Sequence, residues 1–544
     1  RATRITHSAD ASYRTFTYAS SAGVPTLAVR DERNFITTHA YRAYGDPDKP
    51  LVMSITAPVT AANVTMVRNG RGLVTSVTQS GSTRQFSYDT RYYLTSTVHP
   101  EVGTTTYGRD AAGNMTTKQV GASGTTIYDY DGRNRLWRVT YPGGSPSQVT
   151  NVYWRTDKLR TVTNAIATRT YGYDGNQNLT SESLVVDGLT LAATYNYNTN
   201  DQLSSIVYPV LGRTVSFSPN VLGRPTSIVT PTGSMLGTGF WPNGQIYDIA
   251  YAGGSRVTYG QNTREWPNSV TVQTGDNVAR IASTLSYDVA GNMIAAADSV
   301  DASYNRAFAY DGINRLTTTN GPWGNGAVAY SGAGNITSYV LGAETRTHAY
   351  DAQNRLSGLT TTNASGSSNY VYTYDAYGNA SPSFDPYSYD GAGNLTFAGA
   401  GRNHAYDGTN TRVKTTFGSA YGTVTTYEFR SAHGLLLAEW RKISGYYDNL
   451  TEHLHLAGKA VAEQQTDFIP GGSSLPVSWL FIQSDANGSP ISSTWSGGGL
   501  LFKENYQPYG SQLNGTASPW TKMAFAGRTQ DKIDLIYMGG RYYN

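Results

Sequence analysis

The sequence YDGINRLT at residues 310–317 decides the fold, because close copies of it return along most of the chain. Each copy begins with Tyr-Asp or Tyr-Ser, turns through Gly or Asn, and in most copies ends on an aliphatic residue. Between Tyr287 and Tyr374 the copies start 20 to 24 residues apart. The clear copies begin at Tyr130, Tyr173, Tyr287, Tyr310, Tyr330, Tyr350, Tyr374 and Tyr389.

The spacing and the residue types of the repeat predict one β-hairpin per copy. Alternating apolar and polar residues flank a turn in which Asp accepts backbone N–H groups and Gly or Asn tolerates positive φ. A carboxylate that recurs in the same turn is predicted to be structural, not catalytic. The predicted turn residues are Tyr130, Asp131, Gly132, Tyr173, Asp174, Tyr287, Asp288, Tyr310, Asp311, Tyr350, Asp351, Tyr389 and Asp390.

The composition of the 544 residues agrees with an all-β protein. Only 39% are hydrophobic, a count that includes 42 tyrosines, and only 15% are charged, which excludes a helical bundle. The many aromatic residues argue against disorder. The net charge of +3 predicts neither a nucleic-acid partner nor binding to an anionic membrane surface. No apolar run is long enough to span a membrane.

Successive hairpins are expected to pair edge to edge in one very long antiparallel sheet. The aliphatic residues look too few for two such sheets to pack face to face. We therefore expect a curled sheet around a cavity lined by polar and aromatic residues. Because the sequence begins without Met and ends abruptly, we interpret it as a central piece of a longer protein.

The repeats resemble the YD repeats of the Rhs/YD-repeat superfamily, over roughly residues 70–460. Members include bacterial Rhs polymorphic toxins, the C component of Tc toxins and the shells of teneurins. Three further stretches resemble the Rhs repeat-associated core domain: WLFIQSDANGSPISSTW (479–495), NYQPYGSQL (505–513) and FAGRTQDKIDLIYMGGRYYN (525–544). The residues that carry this second resemblance are Asp485, Gly488, Pro490, Tyr506, Pro508, Gly510, Gly527, Tyr537, Arg541, Tyr542 and Tyr543.

The resemblance implies a spiralling β-sheet that forms a hollow cocoon, with the core region as a plug. It divides the chain into an irregular N-terminal segment (1–70, a cap or the first strands of the shell), a YD-repeat shell (71–475) and a core region (476–544). The family's aspartic-type self-cleavage site would lie beyond Asn544, so this chain by itself is expected not to be an enzyme. No cofactor and no metal are expected.

The resemblance also implies a function. The chain would enclose a C-terminal toxin domain of a bacterial effector until delivery. Further expected partners are an N-terminal plug, PAAR/VgrG-type delivery proteins and a chaperone, and the delivery route stays open between type VI secretion, a Tc-type route and surface export. The effector would be cytoplasmic before export and then secreted or delivered.

Two alternatives remain open from the sequence. The chain could instead be a cell-surface YD-repeat protein for adhesion or glycan binding, and the sequence beyond its C-terminus would discriminate. His453 and His455, beside Glu452, lie on one predicted strand face. They suit a metal only with a third ligand that the sequence does not show, so an ordinary strand face is the better interpretation.

Overall fold

The computed structural model describes residues 2–21, 23–46, 48–143, 146–399, 401–443, 448–468, 474–476, 479–513, 521, 523–530, 535–538 and 542–543. Within these ranges the chain is strands and turns, without an α-helix. Single 3-10 turns lie at Thr60–Ala62, Ala252–Gly254, Ala302–Tyr304, Pro508–Gly510 and Phe525–Gly527. A search of the described residues for a helix long and apolar enough to cross a membrane found none.

The largest sheet has 35 strands, so the predicted all-β class and long antiparallel sheet are confirmed. In the pairings that the structure describes, each strand runs antiparallel to the one before it in the chain, as β28–β29 and β31–β32 do. The strands are β1 (Arg4–Thr6), β2 (Tyr13–Ser21), β3 (Val24–Arg30), β4 (Ile36–Arg42), β5 (Leu51–Thr56), β6 (Val64–Arg68), β7 (Val74–Gln79), β8 (Ser82–Tyr88), β9 (Leu94–His99), β10 (Gly103–Arg109), β11 (Met115–Val120), β12 (Thr125–Tyr130), β13 (Leu136–Thr140), β14 (Gln148–Tyr153), β15 (Leu159–Asn164), β16 (Ala167–Tyr173), β17 (Leu179–Val186), β18 (Leu189–Tyr197), β19 (Leu203–Val207), β20 (Thr214–Pro219), β21 (Pro225–Thr230), β22 (Gly233–Phe240), β23 (Ile246–Tyr251), β24 (Arg256–Gln261), β25 (Pro267–Gln273), β26 (Ala279–Tyr287), β27 (Met293–Asp298), β28 (Arg306–Tyr310), β29 (Leu316–Gly321), β30 (Gly324–Tyr330), β31 (Ile336–Leu341), β32 (Glu344–Tyr350), β33 (Leu356–Asn363), β34 (Gly366–Tyr374) and β35 (Ala380–Pro382).

Two smaller sheets follow in the C-terminal part of the chain. The second sheet has 12 strands and the third has 3. The second sheet contains β36 (Ser388–Tyr389), β37 (Leu395–Ala398), β38 (Arg402–Tyr406), β39 (Arg412–Ser419), β40 (Gly422–Arg430), β41 (Leu436–Ile443), β42 (Asp448–Leu456), β43 (Lys459–Phe468), β44 (Ser474–Pro476), β45 (Leu480–Ser484), β46 (Pro490–Trp495) and β47 (Leu500–Lys503). The third sheet contains β48 (Thr529–Gln530), β49 (Ile536–Tyr537) and β50 (Tyr542–Tyr543).

Each repeat aspartate closes its own hairpin turn. Asp311 Oδ1 accepts the backbone N–H groups of Ile313 and Arg315, both at 3.0 Å. Its Oδ2 accepts Arg315 Nε at 2.8 Å. Asn314, one residue before that arginine, has φ of 65°, the left-handed conformation that Asn and Gly tolerate best. The same pair of backbone bonds occurs at Asp131, Asp174, Asp288, Asp351 and Asp390.

Several of the repeat tyrosines connect their hairpin to the previous one through the side-chain hydroxyl. Tyr330 Oη donates to the carbonyl oxygen of Leu316 at 2.8 Å, and Leu316 directly follows the previous turn. The guanidinium of Arg315 in that turn lies over the Tyr330 ring, 4.4 Å from its centroid. Aspartate, arginine, leucine and the next tyrosine therefore form one continuous set of contacts. The hydroxyl bond recurs from Tyr88, Tyr153, Tyr197, Tyr310, Tyr350, Tyr374 and Tyr406.

The contacts divide the chain into two compact units. The first comprises Arg1–Ile127, Gln261–Asn268 and Ser283–Phe384. Its strands alternate between half-buried and exposed residues, as β28 does. Its buried apolar cluster is small and contains Val328, Tyr339 and Leu341. Most of the sheet in this unit therefore has side chains accessible on both faces.

Residues 1–70 contribute β1 to β6 to the largest sheet. The division into segments 1–70, 71–475 and 476–544 stays a prediction.

The second unit comprises Tyr128–Gly260, Ser269–Ala282 and Asp385–Asn544. Here strands β13 to β23 pack on the second sheet around a continuous apolar core. Val215 and Ile228 of the first sheet, and Phe429, Leu454 and Phe481 of the second, are each fully buried in it.

The expectation that two sheets could not pack face to face is therefore wrong for this unit. The aliphatic content is low on average over the chain, but aliphatic residues are concentrated in the second unit. There they occupy alternate positions of strands such as β17 and β18 and form one buried face.

Tyrosine hydroxyls and glycines join the two sheets of the second unit. Tyr251 Oη donates to the carbonyl oxygen of Ile482 at 2.7 Å. Gly275 N–H donates to Gly498 O at 2.9 Å. A Cβ on Gly275 would lie 2.4 Å from the carbonyl oxygen of Gly253, so these turns touch backbone to backbone.

We predict that Tyr330→Phe lowers the free energy of unfolding by about 1 kcal/mol, because it removes the hydroxyl bond to Leu316 and keeps the ring. Urea unfolding measures the change. Tyr93→Phe is the control, since that exposed hydroxyl makes no hydrogen bond to a described residue. Equal effects of the two substitutions would contradict the role given to the repeat hydroxyl.

We predict that Gly275→Ala destabilises the second unit by about 1 to 3 kcal/mol, because the new Cβ forces two backbone segments apart. Gly497→Ala, where a Cβ meets nothing within 4 Å, should change the stability by less than about 0.5 kcal/mol. Thermal unfolding followed by circular dichroism compares the two variants. An unchanged unfolding temperature in Gly275→Ala would show that the close contact between the Gly275 and Gly253 backbones is not required for stability.

Candidate functional site

The candidate site is a layer of buried charge between the second sheet and the end of the chain. The described residues between 521 and 543 are named here the C-terminal segment. In β40, Phe429 belongs to the core shared with the first sheet, whereas Arg430 contacts Tyr537 and Thr529 of the C-terminal segment and Glu428 pairs with that arginine. The alternation of a β-strand therefore places charge on one face and apolar packing on the other.

Arg412, Glu428 and Arg430 form the centre of this layer. Arg412 Nε donates to Glu428 Oε1 at 2.8 Å, and Arg430 Nη2 donates to Glu428 Oε2 at 2.9 Å. All three side chains are less than a tenth exposed. Two guanidinium groups thus share one carboxylate away from water, where charges that lack partners are costly.

The tyrosines of the C-terminal segment complete the coordination of these arginines. The Tyr537 hydroxyl accepts the backbone N–H of Arg412 at 3.0 Å, and its ring lies 4.6 Å from the Arg412 guanidinium and 4.9 Å from that of Arg430. Tyr542 Oη accepts Arg412 Nη1 at 3.0 Å. Burial raises the pKa of the Tyr537 phenol, which therefore stays protonated.

A second ionic group connects this layer to the first sheet within the same unit. Arg169 Nε donates to Asp407, and Arg169 Nη1 donates to the carbonyl oxygen of Arg430 at 2.8 Å. Glu182 lies 3.7 Å from the same guanidinium and accepts the Tyr195 hydroxyl. Burial raises the pKa of Glu182, and the hydrogen bond and the guanidinium only partly offset that effect.

His453 lies between two carboxylates beside the C-terminal segment. Its Nδ1 is 3.1 Å from Glu463 Oε1, and its Nε2 is 3.3 Å from Glu439 Oε2. Burial disfavours the charged ring, but the two carboxylates outweigh it and raise the pKa of His453 to about 9. Thr521 Oγ1 donates to the same Glu463 oxygen at 2.7 Å, which ties the segment to this cluster.

The surroundings of His453 suit a role in holding the C-terminal segment on the second sheet better than a role in catalysis. At neutral pH its ring is an imidazolium with a carboxylate at each nitrogen, so it has no lone pair to accept a proton from a nucleophile. Burial, and then the charge of His453, lower the pKa of His455 to about 3. A bulge between Leu454 and His455 interrupts the regular strand register. A search of the described residues found no group of three or more His, Asp or Glu placed to hold a metal ion.

The residues of the first core-domain stretch reproduce the repeat turn. Asp485 Oδ1 accepts the backbone N–H groups of Asn487 and Ser489, both at 2.9 Å, and Gly488 has φ of 92°. Pro490 begins β46, and its carbonyl oxygen accepts the Tyr506 hydroxyl at 2.9 Å. The aspartate turn and the tyrosine bond therefore recur outside the recognised repeats.

The second and third stretches meet at glycines. Pro508 begins the 3-10 turn that contains Gly510, and a Cβ on Gly510 would lie 2.7 Å from the Phe525 ring. A Cβ on Gly527 would lie 2.9 Å from the carbonyl oxygen of Gly488. The structure thus brings Gly488 and Gly527 together, as it does Tyr537 and Tyr542.

Of the predicted core-domain residues, Arg541 lies outside the described residues. Tyr543 is described as part of β50, without its side chain. Asn544, the last residue of the chain, also lies outside the described residues.

Sequence reasoning missed Arg412, Glu428 and Arg430. The available signal was charge at alternate positions of otherwise apolar strands, as in YEFR at 427–430.

The comparisons with known proteins agree with this geometry. A sequence profile of the RHS repeat matches residues 197–235. No curated protein sequence matches the chain significantly. Among solved structures, TcdB2-TccC3-TEV has a TM-score of 0.68 at 13% identity, over 100% of this chain and 32% of that chain.

Two other solved structures are similar to the same degree. TcdB2-TccC3 has a TM-score of 0.67 at 13% identity, over 99% of this chain and 33% of that one. A Tc holotoxin pore of Photorhabdus luminescens with a mutation in TccC3 has a TM-score of 0.65 at 13% identity, over 98% and 31%. The chain thus spans about a third of the length of these solved chains.

At 13% identity the similarity to these solved structures shows a shared fold. The profile match adds that the sequence at 197–235 has the pattern of an RHS repeat. The profile match at 197–235 and the fold shared along the whole chain together confirm the resemblance seen in the repeats: the chain contains an RHS repeat and has the fold of the TcdB2-TccC3 structures.

Proposed function

We propose that this chain is the shell of a larger bacterial toxin and that it encloses a C-terminal toxin domain until delivery. The observation that carries the proposal is the fold match to TcdB2-TccC3 along the entire chain. One of the similar structures is described as TcdB2-TccC3 without its hypervariable C-terminal region, so that protein has a variable part after a shared part. We transfer this arrangement to the present chain, with a hollow cocoon as its shape.

The single-layered sheet of the first unit supports the proposal. Its strands have accessible side chains on both faces, as expected of a barrier between solvent and a cargo. The neighbour-by-neighbour bonding of the repeats lets such a sheet grow without a deep apolar core. The buried layer of the second unit would then serve as the attachment point for the chain that continues to the cargo.

In this proposal the described residues have a structural role. The repeat aspartates are engaged by backbone N–H groups, and His453 is held between carboxylates. Self-cleavage would belong to residues beyond Asn544. A plug, PAAR/VgrG-type proteins and a chaperone would act in delivery by type VI secretion, and the protein would be cytoplasmic before export.

Limited proteolysis of a longer natural polypeptide tests the enclosure. We predict that the shell and the C-terminal domain resist a broad-specificity protease together, because the sheet excludes the enzyme from the cargo. The control is the C-terminal domain expressed separately and mixed with the shell, which should be degraded. Degradation of the covalently attached domain at the same rate as the control would contradict enclosure and favour the adhesion alternative.

The buried charge layer generates a further prediction. Glu428→Gln should release the C-terminal segment, because it leaves Arg412 and Arg430 buried without their carboxylate, a change that typically costs about 3 to 5 kcal/mol. Hydrogen–deuterium exchange should increase at residues 535–538 and in β39 and β40. The matched control is Glu344→Gln, which breaks a half-exposed pair with Arg346 and should change little. Unchanged exchange in Glu428→Gln would show that the carboxylate does not hold the segment.

A further inference from the structure

A cavity of about 220 Å³ lies where the turns of the second sheet meet the C-terminal segment. Its lining comes from the turns after β40, β42 and β45 and from residues 523–529. At roughly 30 Å³ per water molecule, the space corresponds to about seven waters. It is large enough for a small polyatomic ion.

The charged side chains among the described residues that line this cavity all have the same sign. Arg430, Lys459 and Arg528 line it, together with the imidazoles of His433 and His455. None of the described lining residues is Asp or Glu. In the buried layer next to it, Arg430 pairs with the carboxylate of Glu428.

Several N–H donors at the cavity have no acceptor among the described residues. The Lys459 ammonium has three N–H bonds, and its one described acceptor is the carbonyl oxygen of Ala486, at 2.7 Å. The Arg528 guanidinium has five N–H bonds and makes no hydrogen bond or ion pair with a described side chain or carbonyl. Burial lowers the pKa of Lys459, and the charge of Asp485 only partly offsets that effect.

We propose that this cavity binds a small oxyanion, a phosphate or a carboxylate, through Lys459 and Arg528, beside the buried guanidinium of Arg430. Charge-assisted hydrogen bonds to such an anion would satisfy the remaining donors and neutralise the excess charge. Because the lining joins the second sheet to residues 523–529, the bound anion stabilises the attachment of the C-terminal segment. This inference is independent of whether the chain encloses a toxin.

Calorimetric titration of the purified chain tests the proposal. Sodium phosphate and sodium citrate are titrated separately at constant ionic strength in chloride. We expect saturable binding of one ion per chain for at least one probe, and the tighter probe distinguishes a phosphate site from a carboxylate site. Absence of saturable binding for both probes would overturn the proposal.

Substitutions then locate the bound ion. Arg528→Gln should weaken anion binding about tenfold, because it removes one charge-assisted hydrogen bond to the ion. The fold should be unaffected, since the Arg528 side chain is exposed. Arg155→Gln is the control, since this exposed arginine lies away from the cavity and the substitution changes the net charge equally. Equal weakening by both substitutions would indicate general charge attraction and would contradict a specific site.

Protection against unfolding gives a second measurement. The better probe should raise the unfolding temperature of the native chain and slow hydrogen exchange at residues 523–529. It should have less effect on both in Arg528→Gln. A uniform rise in stability without local protection at residues 523–529 would also contradict the site.

Discussion

The bond from a tyrosine hydroxyl to the carbonyl of the preceding hairpin is the interaction on which this sheet depends. Where the preceding turn carries an arginine, its aspartate closes that turn and its arginine bridges to the tyrosine ring. Tyr330, Leu316 and Arg315 show the arrangement in full. Each hairpin alone would be marginal, and these contacts bind a hairpin to its neighbour wherever they occur.

The aspartate bond within a turn and the tyrosine hydroxyl bond also occur in the C-terminal part of the chain, outside the recognised repeats. Asp485 closes a turn as the repeat aspartates do, and Tyr506 donates to the carbonyl oxygen of Pro490. From there the mode of stabilisation changes from hydrogen-bonded turns to buried ions. Glu428 between two arginines and His453 between two carboxylates hold the C-terminal segment on the second sheet.

The local structure was predictable from the sequence, because each repeat contains the residues that determine its own turn. Asp, Gly or Asn, and an aliphatic residue at constant spacing specify a hairpin without reference to distant residues. The hydroxyl bonds of the tyrosines were missed, since the partner is a backbone carbonyl that leaves no trace in the side-chain pattern. The packing of two sheets in the second unit was missed because average composition hid the alternating aliphatic residues of β17 and β18.

The candidate site was less predictable for a physical reason. Arg412 and Tyr537 lie 125 residues apart, and only the fold brings them together. The His453 pair was noticed, but its function depends on Glu439 and Glu463 from neighbouring strands.

The central claim, that each repeat is stabilised by its immediate neighbour, is tested most directly by a double-mutant cycle. Arg315→Leu and Tyr330→Leu, alone and together, report the coupling between adjacent repeats in urea unfolding. We expect a coupling of about 0.5 to 1 kcal/mol, as for other arginine–aromatic contacts. Arg315→Leu combined with Tyr374→Leu, which stacks on a different arginine, should show no coupling within about 0.3 kcal/mol. Equal coupling in both cycles, or none in the first, would contradict the account.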